Sequence, residues 1–486
     1  MMTHRLITTA ALLAASLIVF TFAGSARAAE EAGWIPLFNG QNLDGWKAAE
    51  NPDSFKVVDG AIFCDGPRAH LFYAGDVQIA QFENFEFQAE VMTRPGANSG
   101  IYFHTQFQDR DFPAKGYEVQ INNTATGDEG YVEFKRTGSL YAVRNVYQSL
   151  MPDNEWFTVH ITVAGKWVRI HLNGMLVVDY VEPENPPREG EYAGRLLSRG
   201  TFALQCHDPG SKVFFKNIRV KPLPEGTPGD APAAPVVDET YRQIARLHAA
   251  NFPLVDFHVH LKGGLTLEQA LALSRRDGIN YGVVINCGVG FSVNNDEGVT
   301  QFLDSMKGQP VYAGLQGEGR EWVNLVSPET RKKFDYVFTD AMTFTDGHGK
   351  RMRLWIPEEV QIDDKQQFMD MYVDRIQYVL NNEPIDIYVN PTFLPDVIAA
   401  EYDSLWTPER MQAVIDAAVK NHVAIEINAR YRIPSAAFIK LAKKAGVKFT
   451  FGTNNGDANL GRLEYCLDMI RECGLTEKDM FLPKKK

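Results

Sequence analysis

Cysteine is scarce in this 486-residue sequence: there are five, an odd number, which excludes a disulfide-built scaffold and leaves at most two pairs. Cys466 and Cys473 lie in a helical pattern about 10.5 Å apart along the axis, too far to bridge. Basic charge is also in deficit. Forty-nine Lys and Arg against 61 Asp and Glu give a net charge of −12, which repels phosphate backbones and anionic membrane surfaces and argues against a nucleic-acid partner. What is abundant is apolar: 45% of residues are hydrophobic and 23% charged, so the chain is globular, and its length predicts two to four domains at roughly 100 to 200 residues each. The apolar run Leu6–Ala23 follows a short basic start, is diluted by Thr8, Thr9 and Ser16, and precedes Ala26-Arg27-Ala28, the pattern that signal peptidase cleaves. The expectation is export, to periplasm or medium, with residues 1–28 removed and no membrane attachment afterwards. Their loss takes two arginines and no acid, leaving −14.

Residues 222–235 (PLPEGTPGDAPAAP) hold five prolines and two glycines, the composition of an extended spacer. A linker over 222–237 therefore divides residues 29–221 from 238–486, and two separable bodies are expected. Upstream, short stretches alternate with period two between turn signals, the pattern of an all-β sandwich. Phe85, Phe87, Ala89 and Val91 share one face of such a stretch, and Asn173-Gly174 reads as a two-residue hairpin turn. Downstream the period becomes helical. Seven apolar strand candidates, 254–259, 281–287, 310–316, 335–339, 385–389, 423–428 and 447–452, alternate mostly with amphipathic stretches such as 266–276, 364–382, 407–420 and 434–445, which predicts an α/β barrel of seven (β/α) units.

Three segments of the first half, NSGIYFH (98–104), GYEVQI (116–121) and FALQCHD (202–208), alternate so that Tyr102, His104, Glu118, Gln120, Gln205 and His207 share a face turned away from the core. If these strands are neighbours, the face becomes a groove lined by a carboxylate, two imidazoles, two amides and a phenol, with Asn98 at its start. Such a lining suits a polyhydroxylated ligand, a carbohydrate.

These segments, together with GWIPLFNGQNLDGW (33–46), TGSLY (137–141), WFTVHITVAGKWVRIHLNGMLVVDY (156–180) and LQCHDPGSKVFFKNIRVK (204–221), resemble the 3-keto-disaccharide hydrolase family over about residues 33–221. One departure is visible: His104 stands where the family pattern suggests arginine. The resemblance implies a concanavalin-like jelly-roll sandwich acting on oxidised sugars. A ketone at C3 acidifies the C2 hydrogen and places the glycosidic oxygen β to the carbonyl, so one positioned base can drive elimination and water can add afterwards. Glu118 is the candidate base and His207 the candidate acid or alternative base. Tyr102, His104, Gln120, Gln205 and Asn98 are the candidates for holding substrate.

In the second half Asp256-Phe257-His258-Val259-His260 ends the first strand candidate and sets two imidazoles two residues apart, a spacing that lets both reach one cation. Gln316, Glu318, Asp340, Asn390, Glu426, Asn428, Asn454 and Asp457 fall at the carboxyl ends of later strands. FHVHLKGGLTLEQAL, VVINCG, AIEINAR and FGTNNGDANLGRLEYC resemble the PHP (polymerase and histidinol phosphatase) family over about residues 250–475, which implies a distorted seven-unit barrel that binds metal and hydrolyses phosphoesters. Only the first His pair matches that pattern fully. Ile285-Asn286-Cys287-Gly288, Met342, Asn390 and Thr453-Asn454-Asn455-Gly456 replace its other ligand positions, so the expectation is at most one divalent ion, Zn, Mn or Fe, held by His258, His260, Glu318 and Asp457.

Three readings follow. The leading one is an exported hydrolase that cleaves 3-keto-glycosides or disaccharides in the sandwich, with a mono-metal hydrolase barrel. The others are a carbohydrate-binding sandwich serving a catalytic barrel, and a sugar-binding protein on a metal-free scaffold barrel.

Overall fold

The structure, a computed structural model, describes residues 33–128, 130–226, 228–345 and 349–483; the leader expected over residues 1–28 lies outside them. Residues 35–222 form two antiparallel sheets. The larger runs in the order Met175–Val181, Trp167–Leu172, Phe157–Ala164, Phe85–Thr93, Val213–Pro222, Ala61–Cys64, Phe55–Val58, with Ile35–Pro36 also pairing on Val213–Pro222. The smaller runs Trp46–Ala49, Ala69–Tyr73, Thr201–Cys206, Asn98–Thr105, Tyr117–Asn122. This sandwich fits a jelly roll. In Phe85–Thr93 every odd position is buried and every even one half-buried, because one face packs on the opposing sheet. Asn173 (φ 48°) and Gly174 (φ 82°) make the tight turn between paired strands, both in the left-handed region that a type I′ turn demands.

Residues 255–452 hold a closed barrel of seven parallel strands: Val255–Val259, Asn280–Gly288, Tyr312–Glu318, Tyr336–Thr339, Ile387–Tyr388, Ala424–Asn428 and Phe449–Gly452. Helices lie in the connections, among them Leu267–Asp277, Lys365–Asn382, Pro408–Asn421 and Ala436–Lys444. Leu267–Asp277 shows why they form there: Thr266 and Gln269 close a capping box at its start, and Gly278 at φ 74° ends it. All five cysteines are free and buried.

The proline-rich stretch leads one to expect two separable bodies, and the structure adds an interface between them. Helix Glu239–Ala249 follows the stretch and meets the sandwich, where Asn145 bonds His248 and the Arg144 guanidinium lies over the Tyr241 ring. Tyr147 Oη donates to Phe252 O at 2.7 Å and Asn145 Nδ2 to His248 O at 2.9 Å, both buried, and Asn280 Nδ2 donates to Asn145 O at 2.8 Å, partly buried. The Tyr147 ring belongs to the apolar core of the barrel. Residues 141–147 therefore act as a plug joining the halves, a contact between distant segments that no local composition reports. Proteolytic cleavage within 223–237 should leave the two fragments co-migrating on size exclusion in native buffer and separating only in denaturant; fragments that part without denaturant would contradict this interface.

Candidate functional site

The smaller sheet has one face on the sandwich core, where Ile101, Phe103, Val119, Ile121, Phe202 and Leu204 pack. Its other face floors a cleft of about 620 Å³. Strand register brings the floor together: Tyr102 pairs with Glu118, Gly100 with Gln120, and Ala203 with Tyr102. Tyr102, Glu118, Gln120, Gln205, His207 and Asn98 all line the cleft. The face is less open than the alternation alone implies. Glu118 is only 4% exposed, because residues 137–141 bond along the edge of its strand and the segment carrying Tyr192 and Arg195 covers it.

Within the floor, Arg195 Nη2 donates to Glu118 Oε2 at 3.2 Å, both side chains being buried. Burial raises the Glu118 carboxyl above its ordinary range, and the Arg195 cation works in the opposite direction. Gln205 Nε2 donates to Tyr102 Oη at 3.0 Å and Gln120 Nε2 to Asn98 Oδ1 at 3.1 Å. Asp208 Oδ2 holds His207 Nδ1 at 2.8 Å, which leaves Nε2 as the nitrogen available for proton transfer. Two floor atoms, Arg195 Nη1 and Gln205 Oε1, are buried without a hydrogen-bond partner among the described residues. On the wall, Glu133 pairs with Lys135 at 3.0 Å, and the Lys135 ammonium sits 4.3 Å over the Tyr141 ring.

His104 departs from the expected face. Its φ is 55°, a left-handed value that breaks the two-residue alternation, and the pairing of its strand shifts register between Thr201 and Ala203. The ring turns away from the cleft, packs against Phe85 and Phe103, bonds Glu83 O through Nε2 at 2.9 Å and accepts from Ser198 N at 3.1 Å. Burial pushes its pKa down to about 4. His104 is a structural residue rather than a substrate contact.

Sequence reasoning missed Arg195, Glu133, Tyr192 and Phe112, which reach the cleft from loops and short strands lacking periodicity. Asp208 and Tyr141 lie inside the conspicuous segments LQCHD and TGSLY, where they were available. Gly100 is a further position: a Cβ there would stand 2.4 Å from Glu118 Oε1. Gly100→Ala should displace that carboxylate and lower cleavage by roughly tenfold or more, since misplacing a reacting group by about an ångström costs up to about a hundredfold, while the melting temperature falls by several degrees and the circular dichroism spectrum stays native. Equal activity in this variant would show that the carboxylate position is unimportant.

The barrel rim does not assemble the expected metal ligands. Asp457 is exposed and turns to its own loop, where Oδ1 accepts from Asn459 N at 2.8 Å. His258 Nδ1 is 2.6 Å from Glu426 Oε1, and Asn286 Nδ2 donates to Glu318 Oε1 at 2.7 Å. Asn390 Nδ2 donates to Asp340 Oδ2 at 2.9 Å, while its Oδ1 accepts from Asn428 at 2.9 Å and Asn454 at 3.1 Å. Amide N–H groups thus occupy carboxylate oxygens that a cation would need, and among the described residues no three His, Cys, Asp or Glu side chains gather as a ligand set. Burial, followed by the neighbouring Asp340 charge, pushes Glu318 up to about 8.

A 3-keto-disaccharide hydrolase of Bacteroides thetaiotaomicron is 27% identical over 230 residues, spanning 39% of this chain and 79% of that protein. A solved structure from Parabacteroides distasonis, provisionally named a glycosyl hydrolase, is 24% identical, covers 40% of this chain and 96% of that one, and aligns with a TM-score of 0.34. A carbohydrate binding module from Bacillus subtilis is 12% identical over 36% of this chain and 95% of its own, with a TM-score of 0.25. Residues 33–221, which include every strand of the cleft floor, match the family described as the 3-keto-alpha-glucoside-1,2-lyase-like domain.

Proposed function

We propose that the sandwich cleft cleaves glycosides carrying a ketone at C3. The observation that carries this reading is the cleft floor: a buried carboxylate held by Arg195, beside two buried polar atoms, Arg195 Nη1 and Gln205 Oε1, that have no hydrogen-bond partner among the described residues. Buried polar groups are normally hydrogen-bonded, so a hydroxylated ligand supplies the missing partners. The family match and the hydrolase relative support the choice of substrate class.

In this reading Glu118 removes the C2 hydrogen. The electron pair forms the C1=C2 bond as the C1–O bond breaks, and the departing oxygen takes a proton from His207, which Asp208 holds in orientation. Charge building on the C3 oxygen meets the Arg195 guanidinium. Water then adds, hydroxyl to C1 and hydrogen to C2, and releases the 3-keto sugar. No step passes through a metal. The apolar leader and its cleavage pattern support placing this reaction outside the cytoplasm, on exported saccharides.

Methyl 3-keto-α-glucoside incubated with the full chain in deuterated water tests the reading. The expected product, 3-keto-glucose, carries deuterium at C2, and the parent glucoside without the ketone stays intact. Cleavage of the parent at a similar rate, or product without C2 label, would sink it.

A further inference from the structure

A second cleft, of about 660 Å³, opens among loops on the barrel. Its walls come from segments that follow the fifth and sixth barrel strands, from the helix Glu464–Cys473 after the seventh, and from the stretch after the hairpin Thr343–Thr345 and Arg351–Arg353. These are carboxyl ends of parallel strands, where such folds place ligands. The chemistry assigned to the sandwich does not use this cleft.

The walls are aromatic. Trp355 stands 36% exposed, and Phe393 and Tyr431 meet edge to face with ring centroids 4.8 Å apart. Arg430, Arg432 and Asp396 add polar ends. Among the described residues neither guanidinium meets a carboxylate: Arg430 Nη1 donates to Asn454 O at 3.2 Å and the group lies over Tyr431, while Arg432 lies over Tyr465. Arg432 has φ 54°, a left-handed conformation that a long side chain seldom adopts. The loop holds it there through the bridge between Asn428 and Ile433 and the bond from Tyr431 N to Asn428 Oδ1. Strained backbone of this kind, retained beside a cleft, points to a role for the side chain it aims. The Tyr402 hydroxyl bonds Thr392 and the Tyr465 hydroxyl donates to Pro434 O at 2.7 Å, so the walls are fixed before any ligand arrives.

We propose that this cleft binds a neutral saccharide. Flat aromatic faces cover the C–H face of a pyranose ring, and guanidinium and carboxylate groups fork across its vicinal hydroxyls. The lining holds two guanidinium groups against the carboxylates of Asp396, Asp403 and Glu472, and Glu472 is itself paired with Lys440 at 3.5 Å, a balance that gives a free anion no net attraction. Ring platforms without a net charge favour a ligand that is polar all round and uncharged. The site is separate from the sandwich cleft, so the two assignments stand or fall independently.

The test uses the full chain carrying Gln205→Ala, which weakens the sandwich cleft, titrated calorimetrically with maltose, cellobiose and trehalose. Glucuronate, glucose 6-phosphate and adenosine serve as charged and planar probes. The expected result is binding of at least one disaccharide with Kd on the order of 1 mM, weakened by roughly tenfold or more when Trp355→Ala is added. Tyr431→Phe should retain affinity and Tyr431→Ala lose it. Circular dichroism checks each fold; if Trp355→Ala does not fold, the exposed Arg432→Ala carries the same expectation. Failure of all three disaccharides to bind, unchanged affinity in the folded variants, or binding confined to the charged or planar probes would each overturn the proposal.

Discussion

Glu118→Gln should lower keto-glycoside cleavage by about 10²- to 10⁴-fold, the range that a positioned base contributes. The amide keeps the shape of the carboxylate and still accepts a hydrogen bond from Arg195, but it cannot take a proton. Loss of the charge-assisted bond to Arg195 costs about 1 to 3 kcal/mol, so the melting temperature should fall by several degrees while the circular dichroism spectrum stays native. The pH profile separates catalysis from damage. Burial raises the Glu118 carboxyl, and a base works only when deprotonated, so kcat/KM should rise with pH through a limb lying above the ordinary carboxylate range. That limb should vanish in the variant. A variant that retains both the rate and the limb removes Glu118 from the mechanism.

His248→Gln should change how the joined halves respond to acid. His248 is fully buried at their interface, with Nε2 donating to Gly278 O at 2.8 Å and Nδ1 accepting from Asn145 N at 3.3 Å. A proton on Nδ1 would face that N–H. Burial first, and the nearby Arg144 charge second, push its pKa down to about 3. The unfolded chain therefore takes up the proton more readily than the folded one, and the stability this group supplies is complete above pH 6.5 and is lost as pH falls toward 3. Glutamine keeps a donor near Gly278 O but does not titrate. At pH 7.5 the variant should be less stable by about 1 to 3 kcal/mol, and the gap to the parent should close by pH 4.5. Melting curves that run parallel across this range would show that the imidazole stays neutral for another reason, or is not needed.

How the sequence and the tertiary structure divide the work is clearest in the strands. Phe85–Thr93 alternates in burial residue by residue as its composition implies, and the seven barrel strands lie within a few residues of their apolar runs. Such patterns are local, since a strand or helix of period two or 3.6 declares its buried face within its own length. Tyr102, Glu118, Gln120, Gln205 and His207 reach one cleft for the same reason, their strands being neighbours with alternation intact.

Everything that depended on which distant segment arrives where was decided by the fold. Arg195 meets Glu118 across 77 positions of chain because the covering loop crosses the sheet, and nothing near Arg195 in sequence marks that path. His104 leaves its face through a single left-handed φ, which inverts the parity on which alternation depends. Asp457 sits close to the barrel rim in sequence yet bonds its own loop, and asparagines take the places around Glu318, Asp340 and Glu426. Tyr147 and His248 join the two halves from opposite sides of a proline-rich stretch that by itself reads as a separator. Periodicity and composition are properties of neighbouring residues, and they determined the strands, the helices and the polar face. Charge pairing, proton positions and the contact between the halves are properties of space, and only the closed structure determined them.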